Sequence, residues 1–191
     1  FLLSNKNLTK ISSTAFYGCK ALAEVQLPDK LEVIGSSAFK LCEALETIQL
    51  PETLKIIDAS AFSYTALTEI QLPDSLEKIG SSAFSNTQLS SVVIPNGVTS
   101  IGNNAFANCA NLSQIVIPAS VTTIGKYVFA LGEQGSSDRL LTTYLYKELD
   151  EKASLNSTFA SSGNVKVYAV SGSTNTCVTN PIAENRIVKL N

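Results

Sequence analysis

The sequence predicts a mainly β solenoid, one short parallel strand per coil, and three periodic columns predict it. The pair Ala-Phe recurs at Ala15-Phe16, Ala38-Phe39, Ala61-Phe62, Ala83-Phe84 and Ala105-Phe106, with Val128-Phe129 as an altered sixth copy. Five residues before each Phe stands an isoleucine: Ile11, Ile34, Ile57, Ile79, Ile101 and Ile124. A Leu/Ile-Pro step keeps the same phase at Leu27-Pro28, Leu50-Pro51, Leu72-Pro73, Ile94-Pro95 and Ile117-Pro118. One unit of 22 or 23 residues cannot bury its own apolar face, and stacking neighbours turns each column into a continuous ladder.

Within a unit the strand comes first. Val25 and Leu27 face one way while Glu24 and Gln26 face the other, as the two-residue repeat of an extended chain requires. Proline then ends the strand by fixing φ and removing a donor, and pairs such as Asp29-Lys30 and Asn96-Gly97 turn the chain. A second extended step, Leu31 to Ile34 for example, leads into the Ala-Phe corner. Rungs about 4.7–4.9 Å apart then place the six phenylalanines in one internal file. An aromatic binding strip is the alternative, but Ala and Ile share the phase of the Phe column, and burial is the usual fate of such residues. At the corner, Gly35, Gly80, Gly102 and Gly125 align with Ser12 and Asp58. A left-handed bend suits serine poorly, so these glycines are expected to permit close packing.

Composition narrows the function. The 191 residues are 45% hydrophobic and 16% charged, with a net charge of −2, which suits one domain with a sizeable core and neither a disordered chain nor a coiled coil. Two arginines, Arg139 and Arg186, offer no basic stripe for nucleic acid. No run of about 18 apolar residues offers a membrane span, so membrane insertion is not expected of this segment. Histidine is absent, which excludes Ser-His-Asp and Cys-His catalysis and any His-ligated metal.

The register L-P-x-x-L-x-x-I-G-x-x-A-F-x-x-C-x-x-L resembles the BspA-like leucine-rich repeats, over about Leu8 to Phe129. The resemblance implies a curved leucine-rich-repeat solenoid in a secreted or cell-surface protein, with adhesion or host-protein binding as its task. Residues 1–130 are read as the solenoid of five to six repeats, and 131–191 as a degenerate last repeat and C-terminal cap of the same domain. The start, with no polar cap before Leu8, is read as truncated, so further residues are expected upstream. The stretch from Leu131 to Arg139 reads as an exposed loop, Leu141–Tyr146 as a further rung, and Lys147 to about Phe159 as helix-forming. Val165–Val170 and Arg186–Leu190 read as strands, separated by a Ser/Thr/Asn stretch containing Pro181. A separate small domain there is the alternative, disfavoured because some 60 residues would have to build a second core.

Cys19, Cys42 and Cys109 each follow a ladder Phe by three residues. Adjacent rungs bring Cys19 and Cys42 within bridging range, but parallel side-chain vectors suit the S–S dihedral poorly, so small buried hydrophobes are favoured. Cys177 has no evident partner, and no zinc site is formed without a C-x-x-C pair. Asp29, Glu52 and Asp74 form a file after the prolines, with Lys30, Lys55 and Lys78 near enough to neutralise it; it reads as a solvated face rather than a calcium site, because no loop supplies six to eight converging oxygens. Nothing pairs carboxylates in a pocket as a glycosidase needs. The sequons at Asn7, Asn111 and Asn156 read as accidents of a chain rich in Ser, Thr and Asn.

The outward strand positions remain as the candidate protein-binding face, expected to be concave: Gln26, Gln49, Gln71, Val93 and Val116 on one file, Glu24, Thr47, Glu69, Ser91 and Gln114 on the other. Val93 and Val116 put apolar groups where water is expected, which marks a partner site, cover by the C-terminal segment, or strand propensity alone. The reading is a non-enzymatic, monomeric interaction module with no catalytic residue, cofactor or metal, whose partner is a protein, a host surface or matrix protein being the type expected. A structural spacer holding another domain is the alternative, and an enzyme with a site in 131–191 a remote one.

Overall fold

The computed structural model describes residues 5–131, 140–145, 164–170, 175–179 and 187–190. The strands, in chain order, are β1 (Lys10–Ile11), β2 (Val33–Ile34), β3 (Ile56–Ile57), β4 (Lys78–Ile79), β5 (Ser91–Val93), β6 (Ser100–Ile101), β7 (Gln114–Ile117), β8 (Thr123–Ile124), β9 (Leu140–Leu145), β10 (Asn164–Val170), β11 (Asn175–Thr179) and β12 (Ile187–Leu190). They form two sheets, ordered β1-β2-β3-β4-β6-β8 and β12-β11-β10-β9-β7-β5. No helix occurs among the described residues.

The solenoid expectation holds, and its continuous sheet lies on the second extended step. Every strand of the first sheet ends on the isoleucine of its unit, registered Ile11↔Ile34↔Ile57↔Ile79↔Ile101↔Ile124. Two flanking bonds hold each rung: Glu32 N–H donates to the Thr9 carbonyl at 2.8 Å and Gly35 N–H to the Ile11 carbonyl at 2.9 Å, a pattern repeated up the stack. The Ala-Phe corner bonds in the opposite sense. There the Phe16, Phe39, Phe62, Phe84 and Phe106 N–H groups reach forward to the carbonyls of Ala38, Ala61, Ala83, Ala105 and Val128 at 2.8–2.9 Å.

Left-handed residues flank that corner. Two before the Phe, Thr14, Ser37, Ser60, Ser82, Asn104 and Tyr127 have φ between 54° and 59°; two after it, Gly18, Leu41, Tyr64, Asn86 and Asn108 have φ between 58° and 71°. Gly and Asn suit that conformation, whereas Leu41 and Tyr64 hold it against their own preference, fixed by the bonds from Leu41 N–H to Ser63 and from Tyr64 N–H to Ser85. The glycine corner is not left-handed. A Cβ on Gly35, Gly80, Gly102 or Gly125 would stand 2.4–2.7 Å from a backbone nitrogen of the rung before, so close packing is the reason for glycine there.

The phenylalanine file is internal. Ring centroids from Phe16 to Phe129 are 5.1, 5.4, 5.5, 5.4 and 6.0 Å apart, with planes within 12° of parallel. Phe39, Phe62, Phe84, Phe106 and Phe129 are fully buried, and Phe16, on the first described rung, is half-buried. The cysteine column behaves as a ladder for Cys42 and Cys109, which are buried thiols; Cys19 is exposed. The Cys42 and Cys109 Sγ–H groups point at the Phe16 and Phe84 carbonyls of the preceding rung, each at 3.1 Å. In the two shorter units Thr65 and Thr87 take the place of cysteine and return their hydroxyls to the Phe62 and Phe84 carbonyls at 2.9 Å. Ser63 and Ser85 bond to each other at 2.8 Å, so the polar atoms of these units are satisfied inside the core.

The pre-proline steps depart from expectation. Of the pre-proline steps, Ser91–Val93 and Gln114–Ile117 pair as strands and Gln26 forms a single bridge, whereas Thr47–Leu50 and Glu69–Leu72 are outside any ladder. The sequences explain the difference. Val92-Val93-Ile94 and Ile115-Val116-Ile117 are β-branched throughout, while Ile48-Gln49-Leu50 and Ile70-Gln71-Leu72 are so at one position in three. Beyond the repeats, β9 pairs parallel with β7 as the expected further rung, β10 pairs parallel with β9, and β12 falls where a strand was read. The polar stretch before Pro181 is corrected: Asn175–Thr179 is a strand, antiparallel to β10 and β12. The loop and helix readings over 132–139 and 147–159 lie outside the described residues.

The turn after proline gives a first testable consequence. Thr53 Oγ1 donates to the carbonyls of Asp29 and Leu31 on the rung before, at 2.7 and 2.9 Å. Ser120 stands in the same column with its hydroxyl buried and unpartnered among the described residues. Thr53→Val is expected to cost about 1 kcal/mol, and Ser120→Ala nothing or a small gain, because alanine removes an orphaned group. Urea titration of both variants checks the contrast.

Candidate interaction face

The outward positions of the pre-proline steps share one surface, as alternation requires. Val25, Ile48, Leu72, Val92, Ile94, Ile115 and Ile117 are buried, and the residues between them look outward. Glu24, Gln26, Thr47, Gln49, Glu69, Gln71, Ser91, Val93 and Gln114 are all exposed. Among the described large apolar side chains Val93 is the most open to water, at 64%. Val116 does not match it. It is half-buried, registered between Val93 of β5 and Tyr144 of β9, so the C-terminal segment continues the sheet beside it.

Two shallow slots open where the steps are unpaired. One, about 650 Å³, lies between the Glu24–Asp29 and Thr47–Pro51 segments. The other, about 510 Å³, spans three rungs and is lined by Thr47, Gln49, Glu69, Gln71, Asp74, Ser91, Val93 and Pro95, among others. They share Thr47, Ile48 and Gln49, so they form one continuous relief. No hydrogen bond among the described residues engages the backbone of Thr47–Leu50 or Glu69–Leu72. A row of extended amides and carbonyls left open in this way is available to water or to a partner chain.

The charges on the turn file are not neutralised as expected. Lys30 Nζ donates to Asn7 Oδ1 at 3.1 Å, and Lys55 pairs with Glu32 at 3.0 Å. Among the described residues no cation pairs with Asp29, Glu52 or Asp74; the other ion pair is Lys20–Glu43, whose hydrogen bond raises the lysine pKa. Lys30 and Lys55 reach other partners because each acts across one rung rather than along its own turn. No group of three or more metal-ligating side chains occurs among the described residues. Burial pushes the Cys42 thiol up to about 11, with Cys19 adding to the shift, which makes Cys42 a poor nucleophile near neutral pH. The apolar columns are the same in all five pre-proline steps, so the one sequence signal for which steps open is the loss of β-branched residues from Ile48-Gln49-Leu50 and Ile70-Gln71-Leu72.

Stacked phenylalanine and isoleucine files, a proline turn and one coil per 22 or 23 residues define a leucine-rich-repeat solenoid. The chain belongs to the BspA type leucine rich repeat region family, whose model matches residues 5–134 in six copies. No relative is found among curated proteins. Among solved structures, the T. pallidum leucine rich repeat protein TpLRR is 32% identical at a TM-score of 0.60, over 64% of this chain and 69% of that one. A leucine-rich repeat protein from Bacteroides ovatus shares the fold at 22% identity and a TM-score of 0.56, over 73% of this chain and 53% of that one. One from Eubacterium ventriosum matches at 28% identity and a TM-score of 0.51, over 56% of this chain and 29% of that one. The chain thus spans about half of the second structure and under a third of the third.

Proposed function

We propose that this chain is a non-enzymatic protein-interaction module of a secreted or cell-surface protein, and that it binds a host surface or matrix protein through the face that carries Gln49, Gln71 and Val93. One observation carries the reading: Val93, the most exposed large apolar side chain among the described residues, lines a slot of open backbone on a face that otherwise presents polar groups. Apolar area within a polar rim is where partners dock, and a solenoid supplies many modest contacts along its length in place of one deep pocket. Membership of a leucine-rich-repeat family supports an interaction role.

The test is a charge-neutral one. The triple variant Gln49→Ala, Gln71→Ala, Val93→Ala is compared with the unaltered chain for retention on an array of purified surface and matrix proteins. About ten-fold weaker binding to the captured protein is expected, with an unchanged melting curve. Val116→Glu is unsuitable for this purpose, because Val116 is half-buried in a paired strand. Binding unaffected by the three alanines removes this face, and an array with no captured protein favours a spacer role.

A further inference from the structure

Resting on that reading, we infer that the slot between the Thr47–Leu50 and Glu69–Leu72 steps takes an arginine side chain from an extended segment of the protein partner. Among the described residues the slot's lining carries two carboxylates, Glu69 and Asp74, and no lysine or arginine. The described ion pairs, Lys20–Glu43 and Lys55–Glu32, lie elsewhere and leave those two carboxylates unpaired among the described residues. Open backbone carbonyls on both walls add acceptors. A guanidinium presents five N–H donors and no acceptor, which matches such a set, and its fork geometry pairs with carboxylates more specifically than an ammonium does.

The apolar part of the slot fits the same occupant. Ile70, Val93 and Pro95 belong to the same lining, apolar surface on which an aliphatic stem can lie while its charged head meets a carboxylate. Among the described residues no aromatic ring lines either slot, so they offer a sugar no stacking platform; the exposed tyrosines Tyr17, Tyr64 and Tyr127 are absent from both linings. The neighbouring slot, which shares Thr47, Ile48 and Gln49 with this one, continues the same relief.

Fluorescence anisotropy with labelled octa-arginine, octa-lysine and octa-glutamate tests this on the full chain, at about 50 mM and about 500 mM salt. Octa-arginine is expected to bind more tightly than octa-lysine, octa-glutamate not at all, and the affinity to fall at the higher salt. Glu69→Gln with Asp74→Asn is expected to weaken octa-arginine about ten-fold. Glu43→Gln with Glu77→Gln, an equal change of net charge away from the slots, is expected to leave it within about two-fold. Equal losses in the two double variants, equal affinity for octa-lysine, or no binding of octa-arginine overturns the assignment. If the alanine triple variant loses its captured protein while octa-arginine ignores Glu69 and Asp74, the interaction face stands and the arginine seat falls; if neither experiment responds, both fall.

Discussion

Phe62→Ala is expected to destabilise the chain by about 3–5 kcal/mol, the largest loss of any single truncation in the file. Phe62 is fully buried with rings at 5.4 and 5.5 Å on its two sides, so its removal leaves a void that neither neighbour can fill without leaving its own rung. The backbone constrains collapse further, because Phe62 N–H is tied to the Ala83 carbonyl and the Ala61 carbonyl receives Phe39 N–H. In a stack where each rung touches only its neighbours, the loss falls on the interfaces before and after the gap. Urea unfolding is therefore expected to broaden or split, with the rungs before Phe62 melting first. Phe16→Ala, at a half-buried ring with a described neighbour on one side only, is expected to cost less than half as much. Equal losses at the two positions contradict an internal file whose strength grows towards its centre.

The same columns explain what was legible. Phe, Ile and Pro recur because each occupies a place where one side chain meets its own kind one rung away, so the period is written directly in the sequence. The partition of hydrogen bonds between the two extended steps is not written that way. Both steps carry buried apolar residues in phase, and a two-residue strand such as Val33–Ile34 is too short to show an alternation. The left-handed columns were hidden for another reason. Of the residues that hold them, only Gly18 and the asparagines advertise the conformation, whereas Thr14, Leu41, Tyr64 and Tyr127 adopt it because the inter-rung bonds dictate it. A serine, threonine or asparagine held two places before the Phe in five successive units was the available signal.

The face was legible residue by residue but not as relief. Alternation placed Gln49, Gln71 and Val93 outward, and they are exposed. It also placed Val116 outward, yet Val116 lies in a strand paired on both sides and is half-buried, whereas Val93 lies in the edge strand of the same sheet and is exposed. The slots depend on a missing ladder between rungs. Only the loss of β-branched residues from Ile48-Gln49-Leu50 and Ile70-Gln71-Leu72 hints at it.

Gly102→Val is expected to destabilise by about 3 kcal/mol, at the upper end of what overpacking ordinarily costs. A Cβ at Gly102 would lie 2.4 Å from Ser81 N, 2.7 Å from Ser81 Cα and 2.8 Å from Gly80 C, and all three are backbone atoms that cannot swing aside. The rung cannot rise to make room, since Gly102 N–H is held to the Ile79 carbonyl at 2.9 Å and the Ile101 and Ile79 strands are in register beside it. Asp58 shows what the corner does tolerate. It keeps the equivalent bond, to the Ile34 carbonyl at 2.9 Å, and folds its carboxylate back onto Ala59 N–H at 2.9 Å. Gly102→Asp is therefore expected to cost less than Gly102→Val, because the carboxylate gains a backbone partner while a β-branched side chain gains only contact. Thermal melting of the two variants orders them. A valine no more costly than the aspartate means that the rungs can separate at this corner, and the close approach of Gly102 to Ser81 is then not what holds their spacing.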